Sequence, residues 1–264
     1  MSITATMVRQ FEKEREFAKL IMEAPTSRRT QAYAYAYEEL YRLFPDLQTD
    51  EDEESNRVVT SMSFIWPFIA RSKVVVEIGA GRCKLAQALA QVVKKVVALD
   101  VAVLADTARF PINLTHEVFN GRDLPMETNS VDTVISDNVV EHLHPEDGLR
   151  QSAEALRVLK PGGSLVLLTP NYANGPHDIS TFFSRVPAGL HLKEYSCLEI
   201  RAMLKQAGFA KVRAYVGAKG YYMPLPCAVG AVLEQIGQRL PRSFTRRTVV
   251  RWLLPNRFTA AKPA

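Results

Sequence analysis

The chain has 264 residues, 47% hydrophobic and 23% charged, with a net charge of +5. That balance excludes disordered, collagen-like and disulfide-scaffold proteins and leaves room for one domain with a substantial core. The charge is segregated: from Lys211 to Ala264 ten Lys or Arg stand against Glu234 alone, a net of +9, which leaves −4 for residues 1–210. Such a tail suits nucleic acid, an anionic lipid surface, an acidic substrate or plain solvent.

Cys83, Cys197 and Cys227 form no Cys-x-x-Cys pair and no zinc-type Cys/His spacing, which fits a reducing compartment. The N-terminus, MSITATMVRQFEKEREF, lacks an apolar signal core, and no run approaches the about eighteen apolar residues of a membrane span. The expected location is cytoplasmic, with attachment to a membrane at most from that side.

In chain order, residues 8–22 are charged and helix-prone, with Phe11, Phe17, Leu20 and Ile21 on one side and Pro25 as a stop. Tyr33, Tyr37, Leu40, Tyr41 and Phe44 then recur at helical spacing before Pro45. Five acids, Asp50 to Glu54, precede a third apolar-periodic run from Val58 to Ile69, where they suit the positive end of a helix dipole. From Lys73 the pattern alternates. KVVVEI (73–78) is a β-branched run of the kind buried on both faces of a parallel sheet. A helix over 82–92, a strand over 95–99, a helical turn or two over 102–108, and strands over 116–119 and 131–136 follow. A helix over 145–159, a strand over 163–170, a loop over 171–195, a helix over 197–207 and a strand over 211–216 complete the series. Repeated βα units imply an α/β fold with a doubly wound, mostly parallel sheet. Beyond 220, Val229, Val232, Leu233, Ile236 and Leu240 make one helical face, and Val250, Trp252, Leu253 and Leu254 sit beside Arg246, Arg247 and Arg251. Both pieces look amphipathic.

In such a sheet, ligands bind outside the carboxyl ends of the strands, so the loops there carry the chemistry. The first is Glu77-Ile78-Gly79-Ala80-Gly81-Arg82-Cys83. Its two glycines allow a tight turn and close approach of a bulky ligand. A dinucleotide fingerprint would need Gly where Lys84 stands, which disfavours a nicotinamide oxidoreductase. Asp100, about twenty residues on at the end of the second strand, can accept hydrogen bonds from two ribose hydroxyls.

EIGAG with Asp100, then NGRDLPMETNSVDTVISDNVVEHL, then EALRVLKPGGSLVLLTPN resembles the class I S-adenosylmethionine-dependent methyltransferases of the UbiG-like, type 11 group, over about Lys73 to Val216. The resemblance implies a Rossmann-like sheet of seven strands with the last antiparallel, here sought within 219–224. It implies S-adenosylmethionine as cofactor, with Glu77, Gly79 and Gly81 around its methionine part, Asp100 on its ribose and Val101 against its adenine. Asn120 and Gly121 take the place of an adenine-binding Asp and small residue, with Asp123 as a rival acceptor. Asp137 and Asn138 match the segment near the transferred methyl group. The preceding helices would form a lid, which gives Arg29, Tyr33 and Tyr37 a cofactor role beside ordinary packing. The implied division is an N-terminal helical lid over 1–72, a methyltransferase domain over 73–218 and a basic amphipathic extension over 219–264.

The cofactor's methyl sulfonium is already electrophilic, so the protein must mainly position a nucleophile and, for an alcohol, provide a base. The candidate bases are His142, whose alternative is a hydrogen-bonding turn residue, His177 with Asp178, and His191. The long 171–195 loop would form the acceptor pocket. The aromatic-amine motif of nucleobase methylation is replaced by Ser136-Asp137-Asn138-Val139, which argues against a nucleic-acid substrate. Asp137 and Asn138 find no third oxygen ligand, so no metal is expected. The leading expectation is O-methylation of a small molecule or of a glycan- or lipid-linked intermediate; a non-catalytic cofactor-binding subunit is the reading from another class. For the tail, an anionic bilayer, packing that completes the fold and a dimer interface all stay open.

Overall fold

The computed structural model describes residues 3–48, 51–102, 107–241, 244–245 and 249–263. Helices α1 (Ala5–Glu23), α2 (Arg29–Leu43) and α3 (Glu51–Ile69) precede β1 (Val74–Ile78), α4 (Lys84–Ala90), β2 (Lys95–Asp100), β3 (Leu114–Val118) and β4 (Val131–Asp137). Then come α5 (Pro145–Val158), β5 (Leu159–Leu168), α6 (Cys197–Gln206), β6 (Lys211–Ala218), β7 (Tyr221–Leu225), α7 (Cys227–Arg239) and β8 (Arg257–Ala261). The eight strands form one sheet in the order β3-β2-β1-β4-β5-β8-β6-β7. Strands β1 to β5 run parallel, and β8 lies antiparallel between β5 and β6.

The buried β-branched run of β1 behaves as its sequence predicts: Val75, Val76, Glu77 and Ile78 are all buried. The order reverses between β1 and β4, and the loops after those strands and after β2 open on one side. A ligand cleft belongs there. One core, with Val76, Leu99, Val134, Leu165 and Phe258, packs the sheet against α5 and α6, and a second, with Phe64, Ile65, Leu89 and Ile135, packs it against α3 and α4. A third, with Phe17, Tyr33, Leu40 and Leu190, joins α1 and α2 to the 171–195 loop.

Three expectations change. The sheet has eight strands rather than seven, and the antiparallel strand inside it is Arg257–Ala261, whereas Tyr221–Leu225 pairs β6 at the outer edge. The stretch from 219 onward therefore returns into the sheet; its apolar alternation, Phe258 and Ala260 inward at 1% exposure each, is too short to stand out in the sequence. Helix α7 carries that apolar face outward: Val229, Val232 and Ile236 are 45–54% exposed, while Cys227, Gly230, Glu234 and Gly237 face inward. Close approach of the backbone through two glycines and the bonds Glu234 Oε1 accepts from Asn171 Nδ2 (2.6 Å) and Cys197 N (2.7 Å) fix that orientation. Asp50, most of the turn expected over 102–108, and Arg246 and Arg247 lie outside the described residues. Val249–Trp252 is a short 3₁₀ turn, with Leu254 buried and Leu253 exposed. The 171–195 loop contains two 3₁₀ turns, Tyr172–Asn174 and Ile179–Phe182. Among the described residues no helix is long and apolar enough to cross a membrane.

Candidate functional site

A cleft of about 730 Å³ opens over the carboxyl ends of β1, β2 and β4, within the range of small-molecule and cofactor sites. Its floor is the glycine loop. Gly79 (φ +69°) and Gly81 (φ +50°) both adopt left-handed backbone, and a Cβ on Gly79 would stand 2.4 Å from Val139 Cγ2. The loop is pinned from below by Asp100, whose Oδ2 accepts from Gly81 N (2.7 Å) and Oδ1 from Ala102 N (3.2 Å). Each oxygen keeps a lone pair for a ligand hydroxyl. Val101, Phe119, Gly121, Tyr33, Tyr37 and Tyr41 enclose this end.

Two carboxylates meet farther in. Glu77 is buried, and burial, then the charges of Asp137 and Asp100, push its pKa well above the usual carboxylate range. Its Oε2 has no partner among the described residues. Burial also raises the pKa of Asp137, which accepts hydrogen bonds from Ser61 Oγ and from Asn138 Nδ2 (2.8 Å). Crowded, desolvated carboxylates favour a cationic ligand between them. Without a cation beside it, ionised Glu77 works against folding. Because its folded pKa exceeds its unfolded value, the protein loses stability as pH rises from about 4 through the folded pKa. Glu77→Gln removes that slope: the variant should melt higher than the wild type at pH 7 without ligand, with the gap closing toward pH 4, as differential scanning fluorimetry across pH would register.

The other end of the cleft is built by the turn after β4 and by the 171–195 loop. Glu141 is fully buried, and burial moves its pKa up to about 7; its Oε2 accepts from Thr169 Oγ1 at 3.0 Å. His142 Nδ1 donates to Leu190 O (3.0 Å), and burial, reinforced by the neighbouring His191, takes its pKa down to about 3. His191 Nδ1 donates to Glu194 Oε1 (2.8 Å). Burial pulls the His191 pKa down, but the bond to Glu194 and the charges of Glu141, Glu194 and Asp178 prevail and raise it. The two rings cross at 83° with centroids 4.7 Å apart. His177 lines the same wall, its Nε2 between Asn171 O (3.1 Å) and Asn174 Oδ1 (3.0 Å).

Four expected site residues point elsewhere. Asn120 caps its own turn, Oδ1 accepting from Arg122 N (2.9 Å) and Asp123 N (2.7 Å), and its rival Asp123 binds Arg150 at 2.8 Å. Asp178 is spent on the loop itself, accepting from Ser180, from Gly189 N (3.1 Å) and from His191 N (3.3 Å), so it positions that loop. Arg29 lies behind the cleft, in a buried pair with Asp147 (3.1 Å) and a second bond to Glu146 (2.8 Å). Tyr33 has a place in both, lining the cleft while its hydroxyl donates to Asp147 Oδ2 (2.8 Å) and accepts from His144 N (2.8 Å). Conversely, Ser61 and Arg57 of α3 and Arg251, Asn256 and Arg257 near the C-terminus line the cleft without having been singled out for it. Arg257 lies 4.7 Å from the ring centroid of Tyr222 and 5.8 Å from that of Phe64. Only its +9 segment hinted at such a role.

Residues 76–167 match the family described as "Methyltransferase domain". A relative from Mycolicibacterium smegmatis, named a probable S-adenosylmethionine-dependent methyltransferase, is 32% identical over 139 residues, 51% of this chain and 51% of its own. A Mycobacterium tuberculosis protein with the same designation is 32% identical over 141 residues, 52% of this chain and 49% of its own. The chain thus spans about half the length of the curated relatives it matches. The complex between the Haloferax volcanii Trm112 methyltransferase activator and a methyltransferase shares the fold at a TM-score of 0.60 and 19% identity, over 84% of this chain and 96% of that one. Haemonchus contortus phosphoethanolamine N-methyltransferase 1, solved with phosphoethanolamine and S-adenosylhomocysteine, shares it at 0.55 and 18% identity, over 99% of this chain and 50% of that one. The matched stretch runs from the strand before the glycine loop to the fifth strand, and together with these relatives it supports a class I S-adenosylmethionine-dependent methyltransferase.

Proposed function

We propose that the cleft binds S-adenosylmethionine and transfers its methyl group to an oxygen of a small molecule or of a glycan- or lipid-linked intermediate. The observation that carries the first half is the pairing of the left-handed Gly79–Gly81 loop with Asp100 at the strand ends. In this reading Asp100 holds the ribose, Val101 and Gly121 flank the adenine, and Tyr33 and Tyr37 cover it. Glu77 and Asp137, with Asn138 beside them, face the cationic methionine end, where the ammonium and sulfonium relieve the crowded carboxylates. The methyltransferase-domain match over residues 76–167 argues against the nicotinamide reading. The continuity of the cleft from Asp100 to His177 supports catalysis over a purely structural use of the cofactor.

For the acceptor, the polar wall of Thr169, Asn174, His177 and His191 supports a hydroxyl-bearing ligand. His142 donates through Nδ1 and burial holds its ring neutral, which leaves its Nε2 lone pair for activation of that hydroxyl. Isothermal titration should show S-adenosylhomocysteine binding to the full chain. Asp100→Ala should weaken it roughly 5–150-fold, the ~1–3 kcal/mol cost of leaving polar partners unpaired. Absence of binding by the wild type sinks the cofactor assignment.

A further inference from the structure

The turn after β4 and the acceptor-side loop bring three ligand-type side chains to one point of the cleft wall. One donor atom each from Glu141, His142 and His191 lies within 4.8 Å of the others. All three residues face the cleft. Their outer contacts have the arrangement that metal-binding histidines use. His142 Nδ1–H is held by the Leu190 carbonyl and His191 Nδ1–H by the Glu194 carboxylate, so each Nε2 is directed away from its anchor. Glu194 is itself fixed, 1% exposed at its side chain and accepting from His177 N at 2.6 Å. Glu141 completes the set: Thr169 holds Oε2, and fully buried Oε1 has no partner among the described residues.

An orphaned carboxylate oxygen in such a place is costly unless a cation meets it. Among the described residues no cationic side chain is in ion-pair contact with Glu141: His191, which acts on it through its charge, is bonded to Glu194. We propose that Glu141, His142 and His191 hold a divalent first-row transition metal, of the zinc or cobalt type, with its remaining positions open to the acceptor. Two imidazole nitrogens and one carboxylate suit such ions better than magnesium or calcium, which favour oxygen sets. Bonds of about 2.0–2.2 Å place neighbouring ligands roughly 3–3.5 Å apart, so contraction of the trio by at most about 1.3–1.8 Å closes the site.

The role follows from position and rests on the methyltransferase reading above. An acceptor hydroxyl bound to the metal becomes more acidic and gives its proton to solvent. Its oxygen lone pair then forms the C–O bond to the methyl carbon as the C–S bond breaks. That electron pair goes to sulfur, which turns the sulfonium into a neutral thioether. Asp178, through its bonds to Gly189 N and His191 N, is a positioning residue for this loop.

The test uses tag-free full-length protein stripped with a chelator and titrated with cobalt(II) chloride, then zinc chloride in competition. One equivalent of cobalt should bind with visible d–d absorption, zinc should displace it, and Glu141→Gln and His191→Ala should each weaken binding at least tenfold. No cobalt spectrum at one equivalent, or affinity unchanged in both variants, overturns the metal site. S-adenosylhomocysteine titration of the same samples separates the two readings. Binding to stripped wild type alongside no metal uptake removes only the metal, whereas no binding with metal present removes the cofactor reading. It also reports whether each variant folds; should His191→Ala fail, Glu141→Gln and the wild-type spectrum decide.

Discussion

A chain ending at Asn256 will fail to fold. Strand β8 is not an appendage: it pairs Ser164–Leu168 of β5 on one side and Lys211–Tyr215 of β6 on the other. Its removal leaves two rows of buried backbone donors and acceptors without partners in the middle of the sheet. Phe258, 1% exposed, is part of the main core, and Lys262 Nζ ties the end down at Asn129 Oδ1 (2.7 Å) and Leu159 O (2.7 Å). The milder Phe258→Ala should cost about 3–5 kcal/mol in urea denaturation, the usual range for deleting a buried aromatic ring. A truncated chain that melts near the wild-type temperature would show that β5 and β6 can close on each other without it.

Arg29→Ala should cost about 3–5 kcal/mol as well, by a different route. The guanidinium is 7% exposed and bonds Asp147, Glu146 and, through Nε, Ala24 O (3.2 Å). Its loss leaves the Asp147 carboxylate, 2% exposed, with the Tyr33 hydroxyl as its close partner and Arg122 at 3.8 Å. Removing one member of a buried pair strands the other charge, which is why the effect exceeds that of a surface bridge. Tyr33 is held by the same carboxylate, so the cofactor-side wall should loosen too. Arg29→Lys should recover only part of the stability, since an ammonium cannot span Asp147 and Glu146 as the planar fork does. Chemical denaturation with and without S-adenosylhomocysteine measures both effects; a loss under about 1 kcal/mol would mean that the pair is solvated.

The alternation of strand and helix, the buried run of β1, the left-handed glycines and the acid ending β2 were all legible in the sequence. Each depends on residues within a few positions of one another: a β-branched run, two glycines in a turn, an acid at a strand end. The family resemblance had the same origin, because its motifs sit on consecutive strand-end loops. Asn120 and Asp178 show the limit of such reading. Both have acceptor oxygens at plausible positions, yet local backbone amides claim those oxygens, and no spacing rule records that competition.

What the tertiary structure alone decided depends on residues far apart in the chain. The insertion of Arg257–Ala261 between β5 and β6 turns part of the basic tail into the cleft wall bearing Arg251, Asn256 and Arg257. The inward face of α7 is small and polar because Glu234 meets Asn171 and Cys197 across 63 and 37 residues. Arg29 became a buried clamp because Asp147 stands 118 residues away. Glu141 and His142 meet His191 only when the 171–195 loop folds back over the turn after β4. Local sequence set the elements and the cofactor-side loop through short-range sterics and backbone hydrogen bonding. Burial and long-range pairing, which have no signature along the chain, decided which charges are structural and which face the cleft.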